Sequence, residues 1–599
     1  MNILYIFPPQ WLPMQPHFAI PSLMGQFRGS EHNVCAMDIN LDFYLKVLNK
    51  EYIEKCIKNA KELKLKLDEE VKSAYKKSVG YENYPLKDRN KFLKYVIIRD
   101  FLDKNEKDLF KYPFLVSKSL EIMRSKDYFY NPKLLTDALN IINKCLNIVS
   151  LEYAPSMLSL SSFYNQNFKY NWESIKYFAD DKSTNIFMDY MRERLDDIKA
   201  KNADYIGISL NSSSQIIAAL TLSKLLKKET KAHINIGGNF FGRVYESFFN
   251  HPDFFEVYAD SLSIEEGEKP VLELAEYLNG ERKLEDVSNL MYLKEGKVTL
   301  NKKTVPMPLD EMKPMSFNGY DLKKYLAPEI ILPFQTSRGC YWHKCSFCDH
   351  DFGMHYNVKS LDKLVEQIKT MKEEYGIVKF EFIDEAISPN YLDNMAKRFI
   401  DEKLDITYFC DGRTESGFSY DILKRAYDSG LRMVLWGLES GSRKIMDLIN
   451  KGVDFDKRME IFKNANDAGI FNFAFIFFGF PAETKEDARE TINLIRENSD
   501  IIHTYGRSIF TMGNHTLIKD EPEKYGVVGE ITQEDEFSPT YIFKAKGMTP
   551  DELNEMIAQC TKMAAQTYGN NLVFKLMSRE VIFLYLVKYG LKTVKDYRF

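Results

Sequence analysis

Three cysteines, Cys340, Cys345 and Cys348, stand within nine residues of the stretch "TSRGCYWHKCSFCDH", Thr336 to His350. Four residues separate the first pair and two separate the second. Thiolates so placed are soft metal ligands. A structural zinc site takes four ligands, commonly as two close pairs far apart in sequence. Zinc here would need His343, His350 or His355 to complete the set. Iron–sulfur clusters held by cysteine also normally take four thiolates. If three are supplied, one iron keeps an exchangeable position that a small molecule can occupy. The spacing favours iron–sulfur and leaves zinc open.

The remaining unusual polar residues follow segments that read as strands. The expected strands are "IILPFQT", "VKFEFID", "ITYFCDG", "MVLWGLE", "FAFIFFG" and "RSIFTM", with helices between them. The helix Leu361–Tyr375 places Leu361, Leu364, Val365, Ile368 and Met371 on one face, with Ser360 as its N-cap. Tyr420–Ser429 forms another, closed by Gly430. The cysteines follow strand one, Asp384 and Glu385 strand two, and Arg413 strand three. Glu439 and Ser440 follow strand four, and "GFPAET", with Gly479 and Glu483, closes strand five. In parallel α/β folds ligands gather at the carboxyl ends of the strands, so these residues ring one face of one partial (βα)6 barrel.

At 599 residues the chain is too long for one core. The first 45 residues read as strand ("NILYIFPP"), helix (Ile20 to Phe27) and strand ("NVCAMDIN"). From about 45 to 201 the pattern is helical and rich in Lys, Tyr, Asn and Leu. Alternation then resumes with "DYIGISL", a helix from Ser214 to Lys227, "HINIGG", "FFEVYA" as a strand, and a helix from Lys269 to Leu278. This predicts a doubly wound, Rossmann-like α/β domain at 1–280 with a helical insertion at 45–201. A hairpin ("MYLKEGKVTL") and a proline-containing linker fill 281–329, the barrel 330–519, and a helical C-terminal domain 520–599.

Apolar content of 45% and charged content of 28% suit a soluble globular protein. The 81 basic and 86 acidic residues leave a net −5 with no basic stripe, so nucleic acid is not an expected partner. The amino terminus lacks the features of a signal peptide. The longest apolar run, "FNFAFIFFGF", is about half a membrane-spanning helix, so no membrane span is expected. The other five cysteines show no disulfide spacing, and the cytoplasm is the expected compartment.

The cysteine motif, with the aromatic Phe347 before its third cysteine, resembles that of the radical S-adenosylmethionine (SAM) enzymes. The family's usual spacing is three then two; here it is four then two. "GLESGSRKIMDLINKG" and "GFPAET" are similar to the fourth- and fifth-strand motifs of the subgroup with a cobalamin-binding domain ahead of the barrel. The resemblance covers about Ile330 to Met512. It implies a 4Fe–4S cluster on Cys340, Cys345 and Cys348, with SAM chelated to the open iron and cleaved to a 5′-deoxyadenosyl radical. It further implies that Asp384 or Glu385 meets the amino group of SAM, Arg413 its carboxylate, and Glu439 with Ser440 the ribose. Phe347 and the backbone of Ile476 to Gly479 would flank adenine. A flavodoxin- or ferredoxin-type electron donor is implied as a partner.

The front domain is similar to the cobalamin-binding domains of that subgroup. Ser209, Asn211 and Ser212 offer polar groups to the corrin or its tail, and Gly237–Gly238 gives close backbone approach. The Asp-x-His-x-x-Gly cobalt motif is absent, since "MDINLDFY" carries Asn40 where histidine is wanted. A weak lower ligand (Asn40, water or nothing) suits radical methyl transfer. The resemblance implies cobalamin-dependent methylation of an unactivated carbon on a peptide or small metabolite. The alternatives are a non-methylating radical SAM enzyme, a tRNA-modifying member, or a metal-binding redox sensor.

Overall fold

The computed structural model describes residues 1–74, 80, 83–349, 356–575 and 577–599. His350 and His355, two of the histidines weighed for zinc, lie outside the described residues. The chain divides into two units. The first comprises Met1–Pro306, Met315–Ile330 and Asp535–Phe537; the second comprises Met307–Pro314, Ile331–Glu534 and Ser538–Phe599.

The first unit is built on a seven-stranded sheet. Its strands are β1 (Asn2–Phe7), β2 (Asn33–Asp38), β3 (Tyr205–Ser209), β4 (His233–Gly237), β5 (Ser261–Ser263), β6 (Leu290–Lys294) and β7 (Lys297–Leu300). The spatial order is β2-β1-β3-β4-β5-β6-β7. Strands β1 to β5 pair in parallel, and β6 and β7 add an antiparallel edge. The hairpin expected at 290–300 therefore belongs to the sheet. Ile3, Tyr5 and Phe7 of β1 pack on Ile20, Met24 and Leu274 of flanking helices, the near-continuous burial that a sheet covered on both faces requires.

Between β2 and β3 the chain is mainly helical, with a short hairpin pairing Ser156–Leu158 and Phe163–Asn165. Its helix Pro132–Ser150 starts where Asn131 accepts from the amides of Lys133 and Leu134 and Pro132 stands in the first turn. Among the described residues the helical stretch Pro132–Tyr153 is long and apolar enough to cross a membrane by length and composition; half of it is buried in the fold.

Segment "FFEVYA", expected as a strand, is helical instead. Helix Pro252–Val257 takes it, with Pro252 and Asp253 in the first turn, and the strand is the following Ser261–Ser263. That strand is serine-rich and completely buried, so no apolar alternation announces it.

The second unit holds six parallel strands. They are β8 (Leu332–Phe334), β9 (Lys379–Phe382), β10 (Thr407–Arg413), β11 (Leu431–Glu439), β12 (Phe471–Phe478) and β13 (Thr504–Ile509), paired in that order. Ser360, Ser388, Ser419, Ser442 and Thr484 each cap the helix that follows them with a side-chain oxygen. Tyr408 and Trp436 point to the outer helices, meeting Phe399 and Phe462. Alternation then sends Phe409, Asp411 and Arg413 to the inner face. There Phe409 meets Phe583 of the C-terminal helix Arg579–Lys595, with ring centroids 5.0 Å apart.

The segment after 520 was expected to be helical throughout. It begins instead with β15 (Val527–Gln533) and β16 (Thr540–Ala545), which join β14 (Met512–Gly513) in a three-stranded sheet ordered β14-β16-β15. "VVGEITQ" and "TYIFKA" are rich in β-branched and aromatic residues, which favour a half-buried pleated surface over a helix.

Candidate active site

The cysteine loop leaves β8 at Thr336 and returns at Asn357. Its base is closed by the antiparallel pairing of Ser337 with Val358 and Arg338 with Asn357. Asp384, at the end of β9, secures the same base. Its Oδ1 accepts from the Thr336 amide at 2.9 Å and from the Ser337 amide, and its Oδ2 accepts from the Thr336 hydroxyl at 3.0 Å. Burial nevertheless pushes this carboxyl up to about 6. Both oxygens of Asp384 thus serve the protein, and the next acid after β9, Glu385, is half-buried.

The far side of the loop is held by a turn that sequence reasoning passed over, Asn450–Lys451–Gly452. The Trp342 indole donates to the Asn450 carbonyl at 2.8 Å, the Asn450 amide side chain donates to the Lys344 carbonyl at 3.0 Å, and the Ser346 amide donates to the Ile449 carbonyl at 2.9 Å. Gly452, at φ +69°, is where the Trp342 ring lies; a Cβ there would stand 1.9 Å from a ring carbon. Phe347 packs on Phe477 of β12 at 5.1 Å between centroids.

Within this frame the cysteines are only half-buried. The Cys348 amide reaches the Cys345 carbonyl at 3.4 Å, turning the two toward each other. Burial pushes the Cys345 thiol up, while Lys451 and Arg413 pull it down. Arg413 lies over the rings of Tyr341 and Trp342, 5.1 and 4.7 Å from their centroids, and donates from Nη2 to the Lys451 carbonyl. Its Nε and Nη1 are buried with no hydrogen-bond partner, although Nη1 lies 3.7 Å from Glu415. Tyr341 donates to Glu415, whose carboxyl burial pushes up to about 7.

Glu439, at φ +62°, forms a buried ion pair with Lys451. Ser440 is also buried, but its hydroxyl is taken by Thr491 at 3.1 Å and by the Ser442 amide at 3.1 Å. These bonds shape the turn after β11. Ile476 pairs with Glu439 in register. Gly479, at φ +87°, donates its amide to Glu483 at 2.6 Å. Burial pushes the Glu483 carboxyl up to about 8, and its Oε1 has no partner.

Among the described residues no three His, Cys, Asp or Glu side chains stand ready-made at metal-binding distance. The donor chemistry nevertheless fits an iron–sulfur cluster. Three soft sulfurs sit on one loop, and the cations Lys451 and Arg413 partly offset the effect of burial on the Cys345 thiol.

In the first unit the sequence-derived residues gather at the carboxyl edge of the parallel strands. Ser209 and Asn211 are hydrogen-bonded to each other at 2.7 Å, and Ser212 forms a capping box with Gln215. Gly238, at φ +117°, would place a Cβ 2.3 Å from the Leu210 carbonyl, so its lack of a side chain accommodates its own chain rather than a ligand. A Cβ at Gly237 would make only ordinary contact with Ser263. Asn40 is buried, and its Oδ1 accepts from the Trp11 amide at 2.9 Å. That bond ties the first turn of the helix after β2, Ile39–Val47, to the loop after β1. His17 was not anticipated: it stacks on Phe7 at 5.0 Å, and burial pushes it down to about 4.

Residues 334–495 match the radical SAM superfamily. An uncharacterized methyltransferase of Pyrococcus horikoshii is 29% identical over 315 residues, covering 50% of this chain and 65% of the relative. The cytidylyl-2-hydroxyethylphosphonate methyltransferase of Streptomyces wedmorensis is 24% identical over 322 residues, covering 47% of this chain and 59% of the relative. The chain thus spans about three fifths of the length of these relatives. In fold it is similar to the cobalamin-dependent S-adenosylmethionine radical enzyme OxsB, solved with aqua-cobalamin bound. There the TM-score is 0.52 at 15% identity, covering 67% of this chain and 66% of that one. Residues 334–495 are a radical SAM domain, carried in a chain that shares its fold with a cobalamin-dependent radical SAM enzyme.

Proposed function

We propose that this chain is a radical SAM enzyme that uses cobalamin to methylate an unactivated carbon of a peptide or small metabolite. The observation that carries this reading is the setting of the three thiols. They lie on one loop held by Asp384 on one side and the Asn450–Gly452 turn on the other, with Arg413 and Lys451 beside Cys345.

A 4Fe–4S cluster held by Cys340, Cys345 and Cys348 would supply the one-electron reduction by which SAM yields a hydrogen-abstracting 5′-deoxyadenosyl radical. The chain's residues hold and orient. Cys340, Cys345 and Cys348 would ligate three irons and leave the fourth for the amino and carboxylate groups of SAM. Glu385 would meet the amino group, and the two unpartnered nitrogens of Arg413 the carboxylate. Glu439, steadied by Lys451, would meet the ribose, and Phe347 with the Ile476–Gly479 backbone the adenine. Asp384 and Ser440 are positioning residues. In the first unit, Ser209, Asn211, Ser212 and Gly237 would line the cobalamin site without a ligand from Asn40. A flavodoxin- or ferredoxin-type protein would supply the electron.

The test is strictly anaerobic reconstitution with iron and sulfide, then incubation with SAM and dithionite. Wild type is expected to carry about four irons per chain and to form 5′-deoxyadenosine, and Cys345→Ala to form none above background. Equal yields from the two proteins would remove the radical assignment. Cobalt content after loading, and transfer of a deuterated methyl group from SAM, test the cobalamin step separately. A second reading has one observation in its favour: OxsB, to which the fold is similar, is named a cobalamin-dependent S-adenosylmethionine radical enzyme rather than a methyltransferase. Product formation with no deuterated methyl group retained would favour that non-methylating reading.

A further inference from the structure

The inner face of the six-stranded sheet carries a carboxylate that the proposed cofactor chemistry does not use. Asp411 lies on β10 two residues before Arg413, which sets it roughly 7 Å deeper along the strand. Phe409 on the same face meets Phe583 of the C-terminal helix, and the preceding Tyr408 faces the outer helices, so by alternation Asp411 faces the interior. Its register neighbours across the sheet are Leu435 and, one strand further, Phe473. The residue keeps some accessible surface, yet its Oδ1 is covered and has no hydrogen-bond partner.

The charges around it are unbalanced. Glu381 of β9 is held by Arg579 of the C-terminal helix, Nη2 to Oε1 at 2.7 Å. Burial pushes the Asp411 carboxyl up to about 8, Arg579 eases it, and Glu381, Glu385 and Asp384 reinforce it. Three other carboxyls thus face Asp411 against one guanidinium, which is already engaged. A buried acceptor left without a donor is unfavourable, and a cationic donor from outside the chain removes that cost.

We infer that Asp411 is the substrate-binding carboxylate of the barrel interior and receives a cationic nitrogen, an ammonium or guanidinium, of the substrate. The inference rests on the radical SAM reading and adds a substrate class to it. A group held at Asp411 would lie level with Leu435 and, one strand further, Phe473. Since the free carboxyl is protonated at neutral pH, capture of a cation there releases a proton, and affinity rises as pH is raised toward 8.

The experiment uses the reconstituted, SAM-loaded full chain. It compares Nα-acetylarginine amide with its neutral isostere Nα-acetylcitrulline amide by titration calorimetry at pH 6.5 and pH 8. The expected result is at least tenfold tighter binding of the arginine probe, stronger at pH 8, with proton release that varies with the buffer used. Asp411→Asn is expected to abolish the preference while iron content and SAM affinity stay at wild-type values. Equal affinity for the two probes, binding of neither, or a preference that survives in Asp411→Asn would overturn the inference. The comparison of probes on wild type needs no variant to fold. Formation of 5′-deoxyadenosine by that same protein tests the radical SAM reading independently, so the two can fail separately.

Discussion

Glu439 and Lys451 form an ion pair sealed within the second unit, their side chains 11% and 8% exposed. Eleven residues, including the short helix Arg443–Ile449, separate them, and Lys451 belongs to the turn that grips the cysteine loop. A Cβ added to Gly437 would fall 2.3 Å from Lys451 Nζ, so the pair fills the space that the glycine leaves. Removing one partner of a buried pair strands the other as an uncompensated charge.

Lys451→Met is therefore expected to destabilise the second unit by about 3–5 kcal/mol. The double variant Lys451→Met/Glu439→Gln is expected to recover much of that loss in urea unfolding. It is not expected to recover SAM affinity, which an equilibrium binding measurement would read. Equal stability of the single and double variants would show that the pair is not coupled.

Gly452→Ala sets a methyl group against Trp342 at a backbone angle that side chains rarely adopt. Trp342 must move, and with it the loop that carries Cys340 and Cys345. The expected result is less than half the wild-type iron after reconstitution, with destabilisation of about 1–3 kcal/mol. Faster amide exchange across 339–348 would locate the effect, and wild-type iron content would speak against the clamp.

Glu483 carries the clearest pH signature. Its folded value, about 8, lies above the ordinary 4.5, so between those values the folded state binds the proton that the unfolded state has released. Stability falls as pH rises across that window, at most by about 1.4 kcal/mol for each unit of displacement. Glu483→Gln keeps an acceptor for the Gly479 amide and is expected to flatten the curve between about pH 5 and pH 8. Parallel wild-type and variant curves would rule out a buried, protonated Glu483.

What the amino-acid sequence determined was whatever is written in local period and composition. The βα alternation announced both parallel sheets, and the three close cysteines announced a loop with metal-ligating chemistry. Because loops in such folds emerge at the carboxyl ends of the strands, Arg413, Glu439 and Gly479 could be assigned to one face from spacing alone. The tertiary structure decided which of those polar groups remain available. Asp384 is spent on Thr336 and Ser337, Asn40 on Trp11, and the space beside Gly238 on Leu210. Each partner lies 28 to 48 residues away or more closely folded back on the chain. No periodic pattern encodes such pairings, because they form only when distant loops meet and buried polar groups must find donors and acceptors. The same holds for Lys451 and Asp411, ordinary charges in the sequence that acquire their meaning from what surrounds them once water has been excluded.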